Sequence, residues 1–203
     1  MPGAYPDVSV VRARLVDEYR DQIPEAIIAE CLEVAIQSFE DATGHVPFLG
    51  STEVTENYVV NVIPGRLLLD LGTSFWRIDS IYDEQDDSTE ITYKPYPPNG
   101  LDPTQGNGFS AITVSVPATC KSRLLVTGCK GFAKTLPGDV YKVIADRAAV
   151  MSFKYLLEGE GALTRLKQGP VEYEWDANAD TAKLKQWQNE WNSAVRKYRR
   201  NPL

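Results

Sequence analysis

The sequence predicts an α+β chain, helical at both ends with a β-rich insertion between them. Three patterns carry that reading. Apolar residues recur at helical spacing over 24–43 and 139–157. Short β-branched and aromatic runs, separated by turn residues, fill 46–134. A last helical seam follows residue 180. The 203 residues are 43% hydrophobic and 24% charged, which excludes collagen-like, low-complexity and wholly disordered chains. At this length one domain over 1–203 is expected, burying about 70% of its unfolded surface.

The elements follow in order. Asp7 is placed to cap a helix over 8–19, with Val8, Val11, Leu15 and Tyr19 at helical spacing. Pro24 suits the first turn of the next helix. That helix aligns Ile28, Cys31, Leu32, Ala35, Phe39 and Ala42 and stops at Gly44. Strands are expected at 54–62, 66–71, 76–81, 90–93, 111–116 and 123–127, with a long irregular Pro/Gly/Asn loop at 95–108. Helix returns after Pro137-Gly138-Asp139, with Val140, Val143, Ile144, Arg147, Met151 and Tyr155 on one face. A short helical stretch is expected at 163–167 and a single strand at 171–175. The last helix, about 180–199, puts Leu184, Trp187, Trp191 and Tyr198 on one seam.

Charge is unevenly spread. Residues 1–100 hold 18 acidic and 6 basic side chains, residues 101–203 hold 10 and 15, and the net is −7. A chain polarised in this way suits head-to-tail contacts with copies or partners. The first residues do not read as a signal peptide, and no apolar run approaches the ~20 residues of a membrane span. Cys31, Cys120 and Cys129 are odd in number and lack metal-ligand spacing, which fits a reduced intracellular compartment.

The search for chemistry is mostly negative, so the expectation is a protein that is not an enzyme and holds no metal or cofactor. His45 is the single histidine and no nucleophile-elbow pattern accompanies it. Gly106-Asn107-Gly108-Phe109-Ser110-Ala111 mimics a dinucleotide fingerprint, but it precedes a strand instead of opening a helix. Gly128-Cys129-Lys130-Gly131 is too short for a phosphate loop. Asp176-Ala177-Asn178-Ala179-Asp180 starts like a calcium loop, yet Thr181 and Trp187 stand where glycine and glutamate are needed. The acidic run Asp83-Glu84-Gln85-Asp86-Asp87 is the one spot that could attract a divalent cation, and with His45 it defines the alternative of a small metal-dependent enzyme.

Two features point to interaction. On the terminal helix, Trp187 and Trp191 lie one turn apart among Lys183, Lys185, Arg196, Lys197, Arg199 and Arg200, and tryptophan and arginine dominate docking hot spots. In the loop at 95–108, Tyr96, Pro98, Asn99, Asn107 and Phe109 are candidates for a contact with a neighbouring subunit or a tail-side partner.

Three segments give the chain a resemblance to a family. They are Ala35-Ile36-Gln37-Ser38-Phe39-Glu40-Asp41-Ala42-Thr43-Gly44-His45-Val46-Pro47-Phe48; then Leu67-Leu68-Leu69-Asp70-Leu71 with Trp76-Arg77-Ile78-Asp79-Ser80-Ile81; then Leu125-Val126-Thr127-Gly128-Cys129-Lys130-Gly131-Phe132 with Leu136-Pro137-Gly138-Asp139-Val140. In this order they resemble the head–tail connector (adaptor) proteins of tailed bacteriophages, over most of 8–175. The resemblance implies a helical bundle with a β-rich insertion arm and a C-terminal helix. It also implies a virion structural protein made in the host cytoplasm and housed in the neck. Such proteins form a ring, commonly of twelve subunits, under the portal; the ring extends the DNA channel without sequence-specific binding and docks the tail or stopper protein. A head-closure or tail-completion protein of the same region is the neighbouring alternative. No membrane partner is implied. The portal contact is expected from Trp187, Trp191, Lys183, Arg196, Lys197, Arg199 and Arg200.

Overall fold

The computed structural model describes residues 4–50, 56–65, 68–85, 90–96, 108–118, 123–159, 165–168, 171–174 and 177–199. The single helix expected over 8–19 is two short ones, α1 (Val8–Arg12) and α2 (Asp17–Arg20). Asp7 does cap α1, its carboxylate accepting the Val10 N–H at 3.0 Å. The chain then tightens, because Arg14 and Leu15 reach back only three residues, to the Val11 and Arg12 carbonyls. Val16 is extended at ψ 138°. Four β-branched residues (Val8, Val10, Val11, Val16) give this stretch little helix preference of its own. The bend still buries both Val11 and Leu15.

The helix α3 (Glu25–Thr43) starts where the spacing predicts, with the Pro24 carbonyl accepting the Ile27 and Ile28 N–H groups. Ile28, Leu32, Ala35 and Phe39 line its buried face. It ends at Gly44, whose φ of 74° lies in the left-handed region that disfavours any side chain. The helix α4 (Gly138–Gly159) opens with the Tyr141 N–H on the Pro137 carbonyl at 2.9 Å. Val140, Val143, Ile144, Ala145, Ala148 and Ala149 are all buried, so α4 is covered on more than one side. Its neighbours are α1, α3 and α5 (Ala177–Tyr198). Alanines at these positions let the surrounding helices approach closely. Asp146 on α4 is 5% exposed and pairs with Arg14 at 2.6 Å, tying the N-terminal segment to the central helix.

Of the short helical stretch expected at 163–167, the described residues 165–167 are not helical. Arg165–Gln168 is a strand, β6, paired antiparallel with β7 (Val171–Glu174). The alternation at 171–174 is legible alone, whereas its partner is recognisable only once a hairpin supplies its hydrogen bonds.

Contacts within the chain divide it into two units, Met1–Thr43 with Pro137–Tyr198 and Gly44–Leu136 with Arg199–Leu203. The second holds an antiparallel five-stranded sheet in the order β1-β5-β2-β4-β3. Its strands are β1 (Glu56–Asn61), β2 (Leu68–Asp83), β3 (Tyr93–Tyr96), β4 (Phe109–Val114) and β5 (Arg123–Lys130). The two strands expected at 66–71 and 76–81 are, from Leu68 on, one continuous strand. Gly72, at φ 71°, bends β2 without ending it, and the register shifts between Asp70 and Phe75. The first half of β2 pairs with β4 and the second with β5. The strand expected at 90–93 begins at Tyr93 and contains Pro95, tolerated because β3 is an edge strand where one missing N–H breaks no ladder. Leu69, Leu71, Phe75, Ile81, Ile112, Leu124 and Val126 form the sheet's core.

The two ends of this unit's chain close on each other. The Phe132 and Ala133 N–H groups both donate to the Phe48 carbonyl, at 2.8 and 2.9 Å. The Gly50 N–H donates to the Ala133 carbonyl at 2.8 Å. The Phe48 and Phe132 rings lie 5.1 Å apart, and the His45 ring stacks on Phe132 at 4.3 Å. Phe48 is fully buried. Phe48→Ala is therefore expected to destabilise the fold by about 3–5 kcal/mol in urea titration followed by circular dichroism, with Phe48→Leu costing clearly less.

Candidate functional site

A concavity of the helical unit lies between α4 and α5. A cavity of about 220 Å³ is lined by Val143, Arg147 and Val150 from one helix and Trp187, Gln188 and Trp191 from the other. The one-turn spacing of Trp187 and Trp191, chosen from the sequence, brings both indoles to this place. Each is half-buried. Trp191 is also a packing residue, because its ring meets Phe39 of α3 edge-on at 5.5 Å.

Arg147 completes the site, and the sequence places it only on the α4 face. Its guanidinium lies 5.5 Å over the Trp191 ring, a cation–π contact. Nη1 reaches the Gln188 amide oxygen at 3.4 Å, and the buried Nε–H has no hydrogen-bond partner among the described residues. The result is an aromatic wall with a fixed positive charge in it, chemistry that suits an apolar side chain beside a carboxylate.

The basic residues of α5 divide into two kinds. Lys197 is committed internally, donating to Asp139 at 2.7 Å, and Tyr198 donates to the same carboxylate at 3.0 Å. Arg196 and Arg199 are exposed. Lys183 lies on the helix with its side chain outside the described set, as is that of Leu184, and Arg200 lies outside the described residues altogether. Burial works against the Asp139 carboxylate. The hydrogen bonds from Lys197 and Tyr198, the ammonium charge and the Val140 N–H together outweigh it and hold the pKa below the ordinary value. The bond to Asp139, then that to Tyr198, raises the Lys197 pKa. Burial pushes the Tyr198 hydroxyl up.

The loop candidates separate as well. Tyr96 ends β3 with 40% of its surface exposed, available to a neighbour. Phe109 does not: it is 3% exposed in β4 and packs in the sheet core, so its expected contact with a neighbouring subunit is corrected to a structural role. Phe109, Ala111, Ile112 and Val114 of β4 are all buried, and the strand begins earlier than its β-branched run suggests. Pro98, Asn99 and Asn107 lie outside the described residues.

The described residues of the enzyme alternative make contacts within the chain. His45 Nδ1 lies 2.6 Å from Ser74 Oγ, a serine–histidine contact in form, but the two residues are 4% and 1% exposed. In the acidic turn Asp83 accepts the Gln85 N–H at 3.0 Å and Glu84 pairs with Arg123 at 3.0 Å; Asp86 and Asp87 lie outside the described residues. Among the described residues no three His, Cys, Asp or Glu are grouped to hold a metal ion. Among the described residues no helix is long and apolar enough to cross a membrane.

The depressed Asp139 pKa fixes the sign of a pH effect. Its contribution to stability is complete above the ordinary carboxylate pKa of about 4 and is lost as pH falls through the lower folded value. The Lys197 contribution is complete below about 10.4 and is lost as pH rises through its raised value. Tryptophan fluorescence should report loosening of the end of α5 below about pH 4 in the natural chain. Asp139→Asn should remove that acid step, and identical acid profiles would mean the carboxylate does not anchor α5.

No protein-family model matches the chain, and no curated protein matches it. Among solved structures it is similar to the neck of an empty GTA particle computed with C6 symmetry, at 14% identity and a TM-score of 0.45, covering 92% of this chain and 90% of that one.

Proposed function

We propose that this chain is a structural protein of a phage-type virion neck, an adaptor that forms a ring under the portal, extends the DNA channel and docks the tail or stopper protein. It is the same part of a particle as the GTA neck, though the reading stands on the sequence resemblance and on what the fold does with the residues that carry it. One observation carries most weight. The first and third resembling segments, far apart in sequence, meet at Phe48 and Phe132, while the second, from Leu68 on, lies in β2. The motif residues thus specify one construction, the closure of a β-rich insertion into a helical chain.

The protein acts by shape and charge and carries out no chemistry. His45 and Ser74 serve the closure, and no cofactor is needed. DNA passes without sequence-specific contacts. In this reading α5 is the docking element, Trp187 with its half-exposed indole supplies the portal anchor, and Lys183, Arg199 and Arg200 assist it. A ring of twelve matches the family resembled.

An antibody against the chain should label the head–tail junction of intact particles in electron micrographs. Label on the capsid or tail shaft, or none, would refute the neck reading, and label confined to the junction's lower rim would favour head closure. Trp187→Ala should weaken capture by the portal ring about 30-fold or more, a loss of about 2 kcal/mol, with an unchanged circular dichroism spectrum. Undiminished capture would remove α5 from the portal contact.

A further inference from the structure

We propose that successive copies of this chain meet by laying the outer stripe of α3 in one copy along the exposed face of α5 in the next. The stripe on α3 runs Glu30, Glu33, Val34, Gln37 and Asp41, all exposed. These positions fall on one side of a helix, opposite the buried Ile28, Leu32, Ala35 and Phe39. The helix carries Glu25, Glu30, Glu33, Glu40 and Asp41 and not one lysine or arginine. Glu40 is used within the chain, accepting the Tyr5 hydroxyl at 2.7 Å. Glu30, Glu33 and Asp41 have no ion pair among the described residues. Between them sits Val34, an apolar side chain 42% exposed on an acidic face.

The exposed face of α5 is its counterpart. Lys185, Gln188, Asn192 and Arg196 follow one another at helical spacing, and all are exposed. The other described charges of this helix are already neutralised inside the chain, Glu190 by Lys142 at 2.6 Å and Lys197 by Asp139. Lys185 and Arg196 have no ion pair among the described residues. A cation thus stands at each end of the α5 stripe and a carboxylate at each end of the α3 stripe. Lys185 and Arg196 are eleven positions apart, as are Glu30 and Asp41. At 1.5 Å per residue both spans come to about 16 Å, so the two charge pairs form together when the helices lie side by side.

The middle of the α5 stripe is polar. Gln188 donates to Asn192 at 3.1 Å and edges the cavity between α4 and α5. Trp187 and Trp191 face away from this stripe, toward α4, so the neighbouring copy leaves them uncovered. Two copies cannot join α3 to α3 or α5 to α5 without opposing like charges. The contact is therefore head-to-tail, the type that closes into rings when the rotation permits. The inference rests on the ring reading above only in that the ring supplies the next copy.

Charge exchange tests the pairing. The variants are Glu30→Lys with Asp41→Lys, and Lys185→Glu with Arg196→Glu, compared with the natural full-length chain by sedimentation velocity over a concentration series in low salt. Circular dichroism confirms their folding. The natural chain should self-associate, and each variant alone about tenfold more weakly or worse. An equimolar mixture of the two, and a chain carrying all four changes, should regain association. Variants that associate like the natural chain, or a mixture no stronger than its components, would overturn the pairing. A natural chain that stays monomeric throughout would overturn it as well. Rings indifferent to every exchange would leave the ring reading standing and remove this interface, whereas failure of neck labelling with successful charge rescue would do the reverse.

Discussion

The sheet depends on one closure, the meeting of Phe48 with Phe132. A long insertion into a helical chain must bring its ends together, and the entropic cost of doing so falls on whatever contact holds them. Here three backbone hydrogen bonds and a stack of His45, Phe132 and Phe48 share it. Ser74, in the middle of the long strand β2, is tied in through His45 Nδ1 and through the Gly131 N–H on its carbonyl at 2.8 Å. Buried polar groups are tolerable only when hydrogen-bonded, and this one is bonded at both its side chain and its main chain. The single histidine, the residue most suggestive of catalysis in the sequence, is buried in this closure against Phe132 and Ser74.

The helical unit has a different logic. Its central helix α4 is lined with valine, isoleucine and alanine and buries one carboxylate, Asp146, against Arg14. Burying that charge is costly unless the guanidinium stays, so the pair constrains where the N-terminal segment lies more than it adds net stability. At the start of the same helix Asp139 holds the last turn of α5 through Lys197 and Tyr198. The cavity of Arg147, Trp187 and Trp191 lies on the same two helices.

What the sequence reveals is local and periodic, and what it conceals depends on distant partners. The helices α3 and α4 are legible because their apolar spacing agrees with Pro24, Gly44 and Asp139 at their ends. The break between α1 and α2 is hidden, since Val11 and Leu15 sit at helical spacing whether or not the helix bends between them. Gly72 reads as a strand boundary and proves to be a bend, because both halves of β2 find partners that only the folded sheet provides. Phe109 reads as loop because its strand starts before the β-branched run begins. In the candidate site the two tryptophans are legible from their spacing. Arg147 and Phe39, which define their environment, come from helices many residues away, and no spacing rule reaches that far.

The pairing of β1 with β5 has a consequence for how the chain comes into being. Glu56 lies opposite Gly128, and Phe48 cannot meet Phe132 until the ribosome has made nearly the whole sheet. Contacts this remote in sequence fold slowly. Throughout that interval α3 has left the ribosome without α4, its main packing partner, and Ile28, Leu32 and Phe39 remain uncovered. The carboxylates along the same helix keep such a nascent chain apart from its siblings until the second half of the protein arrives to cover it.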